Sequence, residues 1–231
     1  MGIGTEDLER RIRVCTLCRL HETRKNAVPG EGPYNARVVF VGEGPGRTED
    51  LKGVPFCGAA GKFLDELLKI AGLDRKEVYI TNVVKCRPPG NRVPFEDEIE
   101  ICASNYLKKQ IEIINPELVV VLGRTSAREL LGKDFVMGLG HGRELKGKYR
   151  GLNLRLFVTY HPAAALYGAQ TKSKLREDFM KLAKILKSME PDVMVLHCFP
   201  DFFGFNEGPV KWFYLALCRG YLNVEHEFKT K

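Results

Sequence analysis

The sequence predicts an α/β fold: a three-layer α/β/α sandwich around a central, mostly parallel, four-stranded sheet. Two observations support this prediction. Four short apolar runs, each of strand length, alternate along the chain with segments whose apolar residues recur at helical spacing. Such runs, of which residues 117–122 are the clearest, are typical of parallel strands that helices cover on both faces.

The first half of the chain supplies two of the four strands. Its predicted elements are, in order, a short helix over 5–20, a strand over 37–41, an amphipathic helix over 62–73 and a strand over 78–84. Gly72 is the expected helix stop, and Pro88 and Pro89 end the second strand. Two glycine-rich stretches, 42–50 and 53–61, separate the first strand from the helix that follows it.

The second half supplies the other two strands. Its predicted elements are a helix from about 94 or 96 to 114, a strand over 117–122, a short helix capped by Thr125, a basic loop and hairpin over 138–151, a strand over 154–160 and a helix over 173–187. Residues 1–189 are therefore predicted to form one domain. Residues 190–231 show no clear period and are predicted to be an appendage of unknown role, packed on the domain or mediating self-association.

The net charge and the cysteine content indicate which partners and which chemistry to expect. The chain of 231 residues has a formal net charge of +7. This charge favours a nucleic-acid partner, although a solvated basic surface is an equal alternative. Because the sequence has neither an apolar run of about 18 residues nor a signal core, we expect no membrane contact and a cytoplasmic location. Seven cysteines in a reducing compartment favour metal or redox chemistry over disulfides.

Polar residues stand at the ends of three predicted strands. Glu43 follows the first strand, Asn82 lies near the end of the second, and His161 follows the fourth. The carboxyl ends of parallel strands meet at one edge of a sheet, so these residues predict a ligand site there. An ordinary tight turn and a structural histidine are the alternatives. Phe56, in the second glycine-rich stretch, is either a core residue or a stacking platform at this site.

The glycine-rich turn at 42–50 does not match the known phosphate-binding motifs. A dinucleotide fingerprint requires glycine where Arg47 stands, and a phosphate loop requires Ser or Thr where Phe63 follows Lys62. The turn instead combines bare backbone with the carboxylates of Glu43, Glu49 and Asp50. We therefore expect a ligand that contacts both the exposed backbone and a carboxylate.

Four cysteines are candidate metal ligands. Cys15 and Cys18 form a C-x-x-C pair, whereas Cys86 and Cys102 are distant in sequence. Four thiolates suit either a structural zinc or an iron–sulfur cluster. Their convergence is a hypothesis, and ordinary half-buried thiols at 86 and 102 are the alternative.

Four motifs, in order and together with these cysteines, carry a specific resemblance. They are GEGPG at 42–46, PFCGAAG at 55–61, TNVVKCRPPGNR at 81–92 and TYHPAAAL at 159–166. The chain resembles the family 4 (type 4) uracil-DNA glycosylases, the iron–sulfur branch of the uracil glycosylase superfamily, over residues 8–188. The resemblance implies a monofunctional DNA glycosylase that flips uracil out of DNA, hydrolyses its N-glycosidic bond and begins base excision repair.

The resemblance also implies roles for the candidate residues. Phe56 stacks on the flipped uracil, and the Asn82 carboxamide binds N3–H and O4. Backbone amides around Glu43 and Gly44 reach O2, where His161 stabilises the departing uracil anion by donating a hydrogen bond. The cluster ligands implied are Cys15, Cys18, Cys86 and Cys102, which hold a structural [4Fe-4S] cluster.

The residue that positions the attacking water stays open at this stage. Other branches of the superfamily carry an Asp where Gly44 stands, so Glu43 and Glu49 are the remaining carboxylates. Glu49 has a second interpretation, as a wall near uracil C5 that excludes the methyl group of thymine. The chain departs from the family at Arg47, often an acid, and at Ala165, often a leucine.

The sequence also predicts the partner of this protein and leaves two rival functions open. Uracil-containing DNA is the expected partner, with phosphate contacts from the basic segments 143–150 and 172–176, and a monomer is expected. A sliding-clamp contact is not readable from the sequence. The rival functions are a non-catalytic DNA-binding or lesion-sensing module that retains the fold and cluster, and a zinc-stabilised nucleotide-binding protein.

Overall fold

A central five-stranded sheet organises the protein. The structure, a computed structural model, describes residues 5–189, so the predicted appendage at 190–231 lies outside the described residues. The strands are β1 (Val38–Gly42), β2 (Tyr79–Asn82), β3 (Leu118–Leu122), β4 (Arg143–Tyr149) and β5 (Leu152–Thr159). Helices flank the sheet, so the predicted α/β/α class is confirmed.

The sheet is parallel except at one edge. Its strand order is β2-β1-β3-β5-β4, in which β1 pairs in parallel with both β2 and β3, and β3 pairs in parallel with β5. The chain moves outward from β1 to β2 and then crosses to β3 on the other side. The carboxyl ends of β1 and β3 therefore flank a switch point of the topology, where open α/β sheets bind their ligands.

The sheet has five strands rather than the predicted four. Strand β4 pairs antiparallel with β5 as one arm of the hairpin expected over 138–151. Its exposed positions include Arg143, Lys146 and Lys148, so it lacks the apolar run that marks the buried strands. Charged residues are common on edge strands, where they discourage pairing with another chain.

Eight α-helices occur within residues 5–189. They are α1 (Thr5–Arg13), α2 (Arg47–Lys52), α3 (Ala59–Ile70), α4 (Glu96–Cys102), α5 (Lys108–Ile114), α6 (Arg124–Leu131), α7 (Met137–Gly140) and α8 (Ala169–Met189). A single turn of π-helix over Ala103–Leu107 joins α4 to α5, so the predicted long helix is one continuous helical run with a bulge directly after Cys102.

One helix was predicted too long, and one short helix was not predicted. Helix α1 ends at Arg13 rather than near residue 20, which leaves Cys15 and Cys18 in the irregular segment after it. The short helix α2 begins within the turn at 42–50, and the sequence did not reveal it because the segment has few apolar residues to show a period. Within the described chain, none of the helices has the length and apolar character that a membrane span requires.

Candidate active site

A cleft of about 380 Å³ opens at the carboxyl ends of the parallel strands. The structure brings all six predicted site residues into its lining: Glu43, Gly44, Glu49, Phe56, Asn82 and His161. Gly123, directly after β3, also lines the cleft, so every parallel strand contributes a residue at or just beyond its end. A site of this kind is what the strand ends predicted.

Asn82 places a buried amide in the cleft. It is the last residue of β2 and only 2% exposed, and its side-chain oxygen Oδ1 has no hydrogen-bond partner. A buried acceptor without a partner is uncommon in folded proteins, because it loses its bond to water. The backbone of Asn82 is held in place, since the buried Nζ of Lys85 donates to the Asn82 carbonyl at 2.6 Å. The free oxygen therefore suits a donor on a ligand.

His161 offers the complementary group, a hydrogen-bond donor. The Ala163 backbone N–H donates to His161 Nδ1 at 3.2 Å, which places the ring proton of a neutral imidazole on Nε2. Burial lowers the pKa of His161 from its ordinary value of 6.5 to about 4. The ring is therefore neutral near pH 7 and donates through Nε2–H.

Phe56 presents an aromatic ring beside the histidine. The two ring centroids lie 5.4 Å apart and the planes are inclined by 26°. Phe56 has a φ of +47°, which is strained for a residue other than glycine and is found chiefly where the surroundings enforce it. One such constraint is the Arg75 guanidinium, which donates to the carbonyl of the preceding residue, Pro55, at 2.7 Å. The loop therefore holds the ring rigidly.

The two carboxylates of the cleft make different contacts. Glu43 Oε2 accepts a hydrogen bond from the Thr125 hydroxyl. Thr125 is therefore not the predicted cap of α6, since Gly123 occupies that position. Glu49 Oε1 accepts from the Gly58 backbone N–H at 3.0 Å, where α3 begins. One carboxylate thus joins β1 to α6, and the other joins α2 to α3.

Gly44 has a steric role. A Cβ on this residue would stand 2.7 Å from Val84 Cγ2, closer than side-chain carbons approach. The Val84 backbone N–H also donates to the Glu43 carbonyl at 3.1 Å, which brings the turn close to the chain that follows β2. Glycine fits here because any side chain would press on the buried Val84 methyl group.

The four candidate cysteines line a second cavity. Cys86 and Cys102 are buried, and Cys15 and Cys18 are half-buried. Arg24 Nη1 donates to Cys86 Sγ at 3.0 Å, and the Lys85 backbone N–H donates to Cys102 Sγ at 3.3 Å. Within residues 5–189, no three His, Cys, Asp or Glu side chains come close enough to hold a single metal ion. All four cysteines nevertheless line the same cavity.

Comparisons with known proteins decide the family. The model of the uracil DNA glycosylase superfamily matches residues 29–186. A type-4 uracil-DNA glycosylase of Sulfurisphaera tokodaii is 47% identical over 185 residues, which are 78% of this chain and 84% of that protein. The chain belongs to the type-4 uracil-DNA glycosylases.

Two further type-4 uracil-DNA glycosylases agree with this assignment. The protein of Archaeoglobus fulgidus is 44% identical over 80% of this chain and 95% of its own length. The protein of Saccharolobus solfataricus is 48% identical over 77% of this chain and 84% of its own length. The resemblance stated from the motifs is therefore confirmed at the level of the family.

Among the lining residues that were not predicted to belong to the site, three have polar side chains: Asn91, Arg92 and Arg124. Asn91 has a φ of +57° in the proline-rich loop after β2, and its Oδ1 accepts from Arg87 Nε at 2.7 Å. The TNVVKCRPPGNR motif contains two of the three, so it was an available signal. Arg124 follows a buried strand, a position that could have indicated it.

The basic segments predicted to contact phosphate are partly engaged within the protein. Arg150 forms ion pairs with Glu100 and Glu129, at 2.6 and 3.0 Å. Lys172 lies over the Phe63 ring at 5.2 Å. A phosphate contact from the remaining cations of these segments stays a prediction.

Proposed function

We propose that this protein excises uracil from DNA by hydrolysing the N-glycosidic bond of a flipped deoxyuridine. Its membership of the type-4 uracil-DNA glycosylases supports the reaction class. The observation that carries the proposal is that one cleft contains two complementary groups. One is the buried Asn82 oxygen, which has no partner, and the other is a neutral His161, which can donate a hydrogen bond. Uracil offers a matching N–H donor and carbonyl acceptors in one planar ring.

Recognition of the base follows from the side chains of the cleft. Asn82 Oδ1 accepts from N3–H of uracil while its amide nitrogen donates to O4, which uses both ends of the carboxamide. Cytosine has no N3–H and carries an amino group at position 4, so it presents the wrong group to each end. Phe56 stacks on the flipped ring and offsets part of the few kcal/mol that base flipping costs.

Catalysis requires stabilisation of the negative charge that develops on the departing uracil. When the C1′–N1 bond breaks, its electron pair goes to uracil and the sugar becomes an oxocarbenium-like cation. His161 donates from Nε2 to uracil O2, where negative charge develops, and Glu43 and Gly44, whose backbone amides are the further proposed donors, line the same cleft. A neutral donor already in place needs no reorganisation during the reaction.

We infer that Glu43, rather than Glu49, positions the attacking water. Glu49 Oε1 is bonded to the Gly58 backbone, and a Cβ on Gly46 would stand 2.8 Å from Oε2, so this carboxylate packs against the turn as a wall. Each carboxylate keeps one oxygen without a hydrogen bond among the described residues, but that of Glu49 lies against Gly46, whereas Glu43 uses Oε2 for Thr125 and keeps Oε1 for a ligand. The free oxygen accepts a proton of the water that attacks C1′.

We also propose that Cys15, Cys18, Cys86 and Cys102 hold a [4Fe-4S] cluster. The support is that all four cysteines line one cavity, and four thiolates in one site are the usual ligands of such a cluster. The Arg24 guanidinium, which donates to Cys86 Sγ, offsets part of the negative charge of a thiolate-ligated cluster. The bound cluster supplies a cross-link between the segment after α1, the loop after β2 and the end of α4.

The assay that tests the proposed function uses two duplex oligonucleotides that differ only in one uracil or thymine. We expect an alkali-labile site in the uracil duplex alone. Binding of the uracil duplex without any product would instead support a non-catalytic lesion-sensing module. Iron and acid-labile sulfide content tests the cluster, and a colourless protein loaded with zinc would contradict it.

A further inference from the structure

A single unpaired cation lies at the wall of the cleft within the described chain. Two cationic side chains line the cleft, Arg92 and Arg124. Arg92 forms a bidentate pair with buried Glu98, at 2.8 and 2.7 Å, and its guanidinium stacks on the Phe95 ring at 3.7 Å from the centroid. The charge of Arg92 is therefore already paired with Glu98, and one face of its guanidinium is covered by Phe95. Arg124 is exposed and makes no side-chain hydrogen bond or ion pair with residues 5–189.

The backbone that carries Arg124 is fixed next to His161. Gly123, the preceding residue, donates its N–H to the Thr159 carbonyl at 2.9 Å. Gly123 has a φ of +92°, and a Cβ on it would stand 2.9 Å from His161 Cβ, so only glycine permits this approach. Arg124 therefore begins α6 from an anchored position, with Thr125 beside it bonded to Glu43.

This inference rests on the proposed function and adds a contact to it. A flipped deoxyuridine puts its base in the cleft and leaves its flanking phosphates at the opening. A guanidinium has a planar set of donors that matches a phosphate in a bidentate manner. We propose that Arg124 binds a phosphate of the damaged strand next to the flipped nucleotide and thereby holds the sugar over the cleft.

The chain supplies a matched control on the same helix. Arg128 lies four residues after Arg124 in α6, is also exposed, and does not line the cleft. It likewise makes no side-chain hydrogen bond or ion pair with the described part of the chain. Arg124→Ala and Arg128→Ala remove the same charge from the same element, so only their position relative to the cleft differs.

The test measures equilibrium binding to a duplex that contains 2′-fluoro-deoxyuridine, which resists excision because the fluorine disfavours an oxocarbenium ion. We expect Arg124→Ala to weaken binding by about 10- to 100-fold. The plot of log binding constant against log salt concentration should also become shallower by about 0.9, the value for one lost phosphate contact. Arg124→Lys should restore the slope, and Arg128→Ala should match the wild type. An unchanged slope in Arg124→Ala overturns the proposal.

Inhibition of excision by free uracil separates a phosphate contact from a base contact. Free uracil has no phosphate, so Arg124→Ala should leave its inhibition constant unchanged. A weaker inhibition constant would mean that Arg124 shapes the base pocket, which contradicts the phosphate assignment. If the wild type excises uracil and the slope is unchanged, only the role of Arg124 fails. If the wild type neither excises uracil nor prefers the uracil duplex, the proposed function itself fails.

Discussion

Asn82 is the residue whose surroundings specify a ligand most narrowly. Its Oδ1 is buried without a partner, while Lys85 fixes its backbone carbonyl. We expect Asn82→Ala to lower the single-turnover rate of uracil excision by about 100- to 1,000-fold, the usual loss when one preorganised active-site hydrogen-bonding group is removed. Affinity for undamaged duplex should stay unchanged, because phosphate contacts dominate it. Excision at the wild-type rate would show that the base is bound elsewhere.

His161 makes stability depend on pH in a defined window. Burial holds its folded-state pKa at about 4, below the ordinary value of 6.5. Between these values the unfolded chain binds a proton that the folded chain does not, so the free energy of unfolding falls as the pH drops from about 6.5 to about 4. His161→Gln lacks this group and should lose less stability across the same window. Urea unfolding of both proteins at several pH values measures the difference, and parallel curves would contradict the assignment.

Sequence reasoning named the residues of the cleft but not their contacts. The strand ends predicted Glu43, Asn82 and His161, since parallel strands end at one edge. The Thr125–Glu43 bond depends on the distance between β1 and α6, which no local pattern encodes. Arg124 was missed although it follows the buried strand β3, because its residue type alone does not separate a cleft cation from a solvated surface arginine. Contacts between distant segments are decided by tertiary packing.

At the level of elements, the turn after β1 is shaped by its contact with the segment after β2. Gly44 leaves no room for a side chain, because Val84 Cγ2 lies 2.7 Å from where a Cβ would stand. Gly44→Ala should therefore destabilise the protein by about 1–3 kcal/mol and weaken free-uracil inhibition. Gly138→Ala is the control, because a Cβ there meets no atom within 4 Å. Equal melting temperatures for the two variants would contradict this account.

The segment that follows β2 connects the active-site cleft to the cysteine cavity. Lys85 lies between Asn82 and Cys86, and its buried Nζ donates to Thr81 Oγ1 and to the Asn82 carbonyl, at 2.7 and 2.6 Å. We expect Lys85→Met to retain iron, since all four cysteines remain, but to bind free uracil several-fold more weakly. Isothermal titration with uracil and an iron assay on the same sample test this. Unchanged uracil affinity would show that Asn82 does not depend on this tether.

Elements of low apolar content were the hardest to predict. The edge strand β4 and the short helix α2 both lack a continuous apolar run, because each lies at the surface. The buried strands β1 and β3 were predicted to within a residue at each end, because burial on both faces makes them apolar throughout. Prediction from periodicity works where an element is buried and fails where solvent tolerates any polar residue.

At the level of the whole molecule, the strand order explains why distant motifs meet. Strands β2, β1, β3 and β5 lie side by side in parallel, so the GEGPG, TNVVKCRPPGNR and TYHPAAAL motifs reach the same edge of the sheet. The segment after β2, which carries Lys85 and Cys86, connects this edge of the sheet to the cysteine cavity. The motifs carried the resemblance, the comparisons established the family, and the structure adds that residues of these motifs line a common cleft.

The most direct test is to measure the released base. Wild-type protein is incubated with a duplex that holds one uracil, and the free bases and the DNA strands are then analysed by mass spectrometry before any alkali treatment. We expect one equivalent of free uracil and an unbroken strand, because hydrolysis removes the base without a lysine nucleophile. Absence of free uracil, or strand cleavage that accompanies its release, would contradict the account.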